Sequence, residues 1–120
     1  QAELPGFYAR SSGLASPETV ASVEEAARIV AVHLELGLGG FLVCVPVPEA
    51  EALPGEVART AVGQAIREAA AASVAGPALT PWLLTRIAEI TEGASVRANT
   101  ALIVNDARIA GQLAVALATP

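Results

Sequence analysis

Lysine is absent from this chain: its seven basic residues are all arginine. No residue here can form a Schiff base through a lysine amine, so that route of covalent catalysis is closed to these 120 residues alone. Cysteine occurs once, at Cys44, which excludes an internal disulfide framework and fits a reducing, cytoplasmic setting. Charge is also scarce, at 16% of residues against a usual share of about 25%. With 53% apolar residues, the chain has too little polar surface for a small free-standing globule. It is expected to bury surface against further sequence or other subunits. The arginines are scattered and the net charge is −5, so no basic patch exists to bind a nucleic-acid backbone. Apolar runs are broken by Asn, Asp, Arg or Pro well before the ~18 residues a membrane span needs, and no signal peptide is visible. With one His, one Cys and no close Asp/Glu constellation, no metal-ligand cluster is present. Length allows one small domain or part of a larger one, and a first residue of Gln rather than Met fits a segment of something longer.

What is there reads in order as loop, helix, strand and three helices. Residues Gln1–Ser22 carry the turn signals Pro5-Gly6, Ser11-Ser12-Gly13 and Ser16-Pro17 around Phe7-Tyr8. Ser22 with Glu25 is a capping-box pattern opening a helix to about Leu36, with Gly37 as its stop and Val23, Ala26, Ala27, Val30 and Leu34 as its apolar face. Phe41-Leu42-Val43-Cys44-Val45 is a short apolar run bounded by Gly39-Gly40 and Pro46. It predicts a strand buried on both faces, with Cys44 an inert core thiol. A second, Ala-rich helix is expected from about Glu56 to Ser73. A third starts with Thr80 as its cap and Pro81 in its first turn and runs to about Thr91. One strand cannot form a sheet, so the fold class is read as α/β: a helix-rich segment completing a larger α/β/α sheet domain.

The stretch from Ser95 to Leu117 is the longest helix and the richest in candidate chemistry. At about 100° per residue, Ser95, Asn99, Asp106, Ala110, Leu113 and Leu117 share one stripe, while Arg97 and Arg108 point elsewhere. A helix so apolar nearly all round is expected to be buried. Its polar stripe is then either tied into the protein or part of a site, which makes Asn99 and Asp106 substrate-binding candidates. Arg10-Ser11-Ser12-Gly13 offers a guanidinium fork and two hydroxyls to an anion, against the plainer reading of a turn. His33, beside Glu35 in the first helix, reads as structural.

Six segments together carry a family resemblance. They are Phe7-Tyr8-Ala9-Arg10-Ser11-Ser12-Gly13, Ser22 to Ala27, Leu36 to Gly40, Pro46-Val47-Pro48-Glu49, Leu79 to Leu84 with Arg86-Ile87, and Ser95-Val96-Arg97-Ala98-Asn99-Thr100-Ala101-Leu102. In this order they resemble the C-terminal part of the pseudouridine-5′-phosphate glycosidases, a family that includes indigoidine synthase A-like proteins. The resemblance spans essentially the whole chain as a single segment. It implies reversible cleavage of the C–C glycosidic bond of pseudouridine 5′-phosphate to uracil and ribose 5-phosphate. It further implies an imine-forming lysine, a glutamate acid/base and a manganese ion held through an aspartate, all upstream of the matched region. A cytoplasmic homotrimer is implied, with the N-terminal remainder of the enzyme as partner. Asn99 matches the family's Asn in the Ser-x-x-Ala-Asn motif, where it faces the base.

The chain departs from the family pattern twice. Val45 stands where relatives usually have Asn, which removes an amide donor; Asp106 follows Asn105 where relatives usually have a second Asn, which adds charge. Two further readings therefore stand beside the enzyme. One is a non-catalytic scaffold or assembly remnant, and the other a small phosphate-ligand module built on Arg10, Ser11 and Ser12.

Overall fold

The Ser22 hydroxyl accepts the backbone N–H of Glu25 at 3.2 Å and so caps helix α1, Val23–Glu35. The reciprocal half of the box is displaced by one residue, since the Glu25 carboxylate accepts from the N–H of Ala21 at 2.9 Å. At the other end Gly37 adopts φ 66°, and the N–H of Leu38 reaches back to the carbonyl of His33. That is the left-handed stop a glycine supplies without steric cost. Helices α2 (Gly55–Ala71), α3 (Leu79–Ile90) and α4 (Ala94–Ala118) follow. The computed structural model describes residues 2–119. Short 3-10 turns at Glu49–Glu51 and Gly76–Ala78 precede α2 and α3. The second of these runs straight into α3, so Ala78 rather than Thr80 stands at its cap.

The expected strand does not form. Among the described residues there is no strand, only a single antiparallel bridge between Glu3 and Ala15. The chain is helical rather than α/β, and Phe41–Val45 is irregular, with Leu42 86% exposed. Cys44 is exposed with it rather than in a core. The physical reason is pairing: apolar composition favours a pleated surface but supplies no partner for the backbone N–H and C=O groups. Here the segment's Phe41 instead meets His33 edge-on at 5.4 Å, and the His33 ring bonds the Gly39 carbonyl at 3.0 Å. His33 thus closes the α1 exit loop.

The core lies where α2, α3, the N-terminal loop and the first half of α4 meet. Alanines at 58, 61, 65 and 69 give α2 a smooth buried ridge that lets α3 approach closely. Ala58, Ala61 and Ala65 share their cluster with Tyr8, Ala9, Val47, Leu53, Ile87, Ala98 and Leu102. Gly6 is needed where the N-terminal loop doubles back, since a Cβ there would lie 2.9 Å from the carbonyl oxygen of Ala9. Helix α1 packs on the far half of α4, outside this core, through Ala27 and Val30. The result is elongated: the radius of gyration is 17.0 Å, against about 14 Å for a compact 120-residue domain.

Helix α4 is long and apolar enough, by length and composition, to span a membrane. Asp106 and Arg108 fall near its middle, where each charge would cost several kcal/mol in lipid, and α1 packs along it. The expectation of a buried helix is also revised, because only Ser95, Ala98 and Leu102 of α4 are fully covered.

Helices α2 and α3 are also joined by charge. The Arg86 guanidinium grips Glu68 with two nitrogens and holds Glu89 at 2.7 Å with the third. Arg86, with help from Gln64, holds the Glu68 carboxyl down at about 2, and the same pairing raises Arg86. A depressed carboxylate stabilises the fold above its unfolded value of 4.5 and loses that contribution as pH falls toward 2. Thermal melts between pH 6 and pH 2 should therefore fall less steeply for Glu68→Gln than for the parent, with the variant already less stable at neutral pH. Parallel melting curves would show that this pair contributes nothing.

Candidate functional site

The segment Pro46-Val47-Pro48 runs between the N-terminal loop and α4, and both hold it. Prolines at 46 and 48 have no N–H, so the backbone there is gripped largely through its carbonyls. Arg10 donates from Nη1 to the Val47 carbonyl at 2.8 Å, and Asn105 donates from Nδ2 to the Pro46 carbonyl at 3.2 Å. Between the two bonds the Val47 side chain is completely buried.

Arg10 also borders a cavity of about 790 Å³ between the loop and the segment Leu42–Pro46. Its polar lining includes Ser16, Thr19 and Cys44, with Glu3 and Glu18 as acids. The volume lies within the usual span of small-ligand sites, about 300–1,000 Å³. The hydroxyls next to Arg10 do not face this cavity. Ser11 donates to the Glu3 carboxylate, and Ser12 donates to the Leu4 carbonyl at 2.6 Å while accepting from the N–H of Leu14. Ser11 and the Gly13 N–H hold the Glu3 carboxyl below its ordinary value. The loop thus already carries an anion of its own. Ser11 and Ser12 border a separate, apolar groove against α2 and α3.

On α4 the buried and half-buried line is Ser95, Ala98, Leu102, Asn105, Ile109, Leu113 and Ala116, at spacings of three and four. That line is turned by about 65° from the stripe through Asn99 and Asp106, at about 100° per residue. Asn99 is half-buried beside it, and Asp106 is exposed to solvent. The structure therefore brings Arg10 and Asn105 onto neighbouring carbonyls, and it does not gather Arg10, Ser11, Ser12, Asn99 and Asp106 into one pocket. Asn105 was not singled out from the sequence. The signal was its place in the three-and-four repeat with Ala98 and Leu102, hidden because alanine marks a face so weakly. Among the described residues no group of three or more His, Cys, Asp or Glu could hold a metal, so these residues do not fit a manganese site.

The family model for indigoidine synthase A like proteins matches residues 1–116. The chain belongs to this family. Its relatives include pseudouridine-5′-phosphate glycosidases of Sorangium cellulosum (44% identical), Alkaliphilus metalliredigens (45%) and Rhodospirillum centenum (46%). Each match covers 96% of this chain but only 36–38% of the relative, over its C-terminal part. A crystal structure of the prealnumycin C-glycosynthase AlnA, in complex with ribulose 5-phosphate, shares the fold. The TM-score is 0.78 at 22% identity, covering 92% of this chain and 37% of that one. This indigoidine synthase A-like chain thus spans a little over a third of the length of the relatives it matches.

Removing the Arg10 side chain leaves the buried Val47 carbonyl without its donor, which costs about 1–3 kcal/mol. Arg10→Ala should lower the denaturant midpoint accordingly, with an unchanged slope. An unchanged midpoint would mean that water replaces the guanidinium freely.

Proposed function

We propose that this chain forms one wall of an enzyme that cleaves the C–C glycosidic bond of pseudouridine 5′-phosphate to uracil and ribose 5-phosphate. The observation that carries this reading is identity of 44–46% along 96% of the chain to relatives bearing that name. The imine-forming lysine, the acid/base glutamate, and manganese with its aspartate belong to polypeptide beyond these residues, and no step of the chemistry is assigned to a residue here. What this chain contributes is recognition. Asn99 lies in the first half of α4, half-buried, and its planar amide both donates and accepts. A uracil ring presents both kinds of group, so Asn99 is assigned to the base. Arg10, at its cavity, is assigned to the phosphate end.

Surface area supports a larger assembly. The chain exposes 7868 Å², about 1,900 Å² more than a compact protein of its mass. Ile29, Val32, Leu36, Val104 and Val115 are among the exposed apolar residues. The excess is more than twice the roughly 800 Å² that one partner contributes to a standard interface. We assign its coverage to the remainder of the enzyme and to neighbouring subunits of a homotrimer.

A second reading, a non-catalytic scaffold, draws on Val45 and Asp106, where the family's amides are replaced, and on the missing lysine. The two separate in one assay. The protein carrying this chain, expressed at its natural length, should release uracil from pseudouridine 5′-phosphate. Asn99→Ala should cut kcat/KM about 10- to 100-fold, the equivalent of one lost buried hydrogen bond of about 1–3 kcal/mol, with little change in Tm. No uracil release by the parent would favour the scaffold; a Tm loss without a kinetic one would remove Asn99 from the site.

A further inference from the structure

Arg10 and Asn99 sit on different parts of the chain, and hydrogen bonds to two adjacent carbonyls tie the first to the helix that carries the second. Arg10 holds the Val47 carbonyl, the adjoining peptide carries the Pro46 carbonyl, and Asn105 holds that carbonyl to α4. Asn99 lies six residues back along the same helix, a rise of about 9 Å. The Asn105 amide is itself oriented. Arg108 donates from Nη2 to its Oδ1 at 2.8 Å and from Nη1 to Gln112 at 3.2 Å, so the amide's NH₂ is the end left to face Pro46. The two carbonyls are gripped by different elements, one by the loop and the other by the helix. Apolar packing of Val47 also holds the segment, but packing is non-directional and sets no fixed distance along it.

Resting on the functional reading above, we propose that Asn105 is a positioning residue: its bond to Pro46, fixed by Arg108, sets the Arg10 cavity in register with Asn99. It touches no substrate. It governs whether the phosphate end and the base end of one nucleotide are met together. The same bond anchors the far end of Leu42–Pro46, which forms one wall of the Arg10 cavity.

The test uses the protein carrying this chain at its natural length. Asn105→Asp keeps the size and the acceptor for Arg108 but has no N–H for Pro46 and sets a charge against that carbonyl; Asn105→Ala removes the same bond without adding the charge, so an effect shared by both variants belongs to the bond. The first readout is the ratio of kcat/KM for pseudouridine 5′-phosphate over pseudouridine. Asn105→Asp should lower it about tenfold, because phosphate binding no longer aligns the base. The second is amide hydrogen exchange at Val47, buried at the junction, which should quicken about tenfold in both variants. A loss of Tm with both readouts unmoved would make Asn105 merely structural and overturn the proposal. So would a kinetic effect of Asn99→Ala with an unchanged ratio in Asn105→Asp, and that outcome leaves the functional reading standing. Inactivity of the parent on both nucleosides overturns the functional reading and this inference with it.

Discussion

The burial of Val47 is the constraint on which the rest of this structure depends. A completely covered side chain flanked by two prolines cannot be placed by secondary structure, since the prolines deny it a ladder. It is placed instead by everything around it: Tyr8 and Ala9 of the loop, Leu53 before α2, and Ala98 and Leu102 of α4 share its cluster. The polar side of the same junction follows from this burial. A carbonyl carried into a core must find a donor or cost about 1–3 kcal/mol. Arg10 and Asn105 meet that demand at Val47 and Pro46, and the N–H of Leu53 meets it at Tyr8, at 2.8 Å. No buried side-chain polar atom is left without a partner among the described residues. Helices α3 and α4, which share few direct contacts, both send residues into this cluster, Ile87 from one and Ala98 and Leu102 from the other.

The helices were legible because each is written in local chemistry. Ser22 and Glu25 announce α1, Gly37 ends it, and the Gly76-Pro77 pair separates α2 from α3. Local signals are complete in themselves, so no knowledge of neighbours is needed to read them. Phe41–Val45 was misread for the opposite reason. Its Gly and Pro boundaries and its apolar run state what the segment avoids, not what pairs with it, and a strand exists only through its partner. Cys44 followed that misreading from core to surface.

The inward face of α4 was missed by a different route. When nearly every position of a helix is apolar, its faces differ little in polarity, and the sequence says little about which one turns inward. Ser95 and Leu113 fall on both the expected and the observed lines, but Ala98 and Ala116 give no sign in sequence that they point inward. A turn of about 65° then suffices to exchange Asp106 for Asn105 as the residue that meets the protein. Two adjacent polar residues, one an amide and one a carboxylate, differ in the property that decides which is tolerated there. The amide supplies the N–H that the Pro46 carbonyl requires, and a carboxylate cannot.

That distinction bears on the family's habit of placing two amides in succession where this chain has Asn105 and Asp106. The covered amide is kept and the exposed one is changed. A carboxylate at 106 stays in water at little cost, whereas the same charge at 105 would face a carbonyl oxygen, like against like. It would also draw Arg108 into a tighter pair and away from Gln112. The departure at Asp106 is thus one the fold can absorb without disturbing its central junction. The departure at Val45 is of another kind, because it lies next to Pro46, on the half-buried approach to the same junction. Replacing an amide there by an apolar side chain removes a donor beside the junction while leaving the backbone grip on Pro46 and Val47 intact.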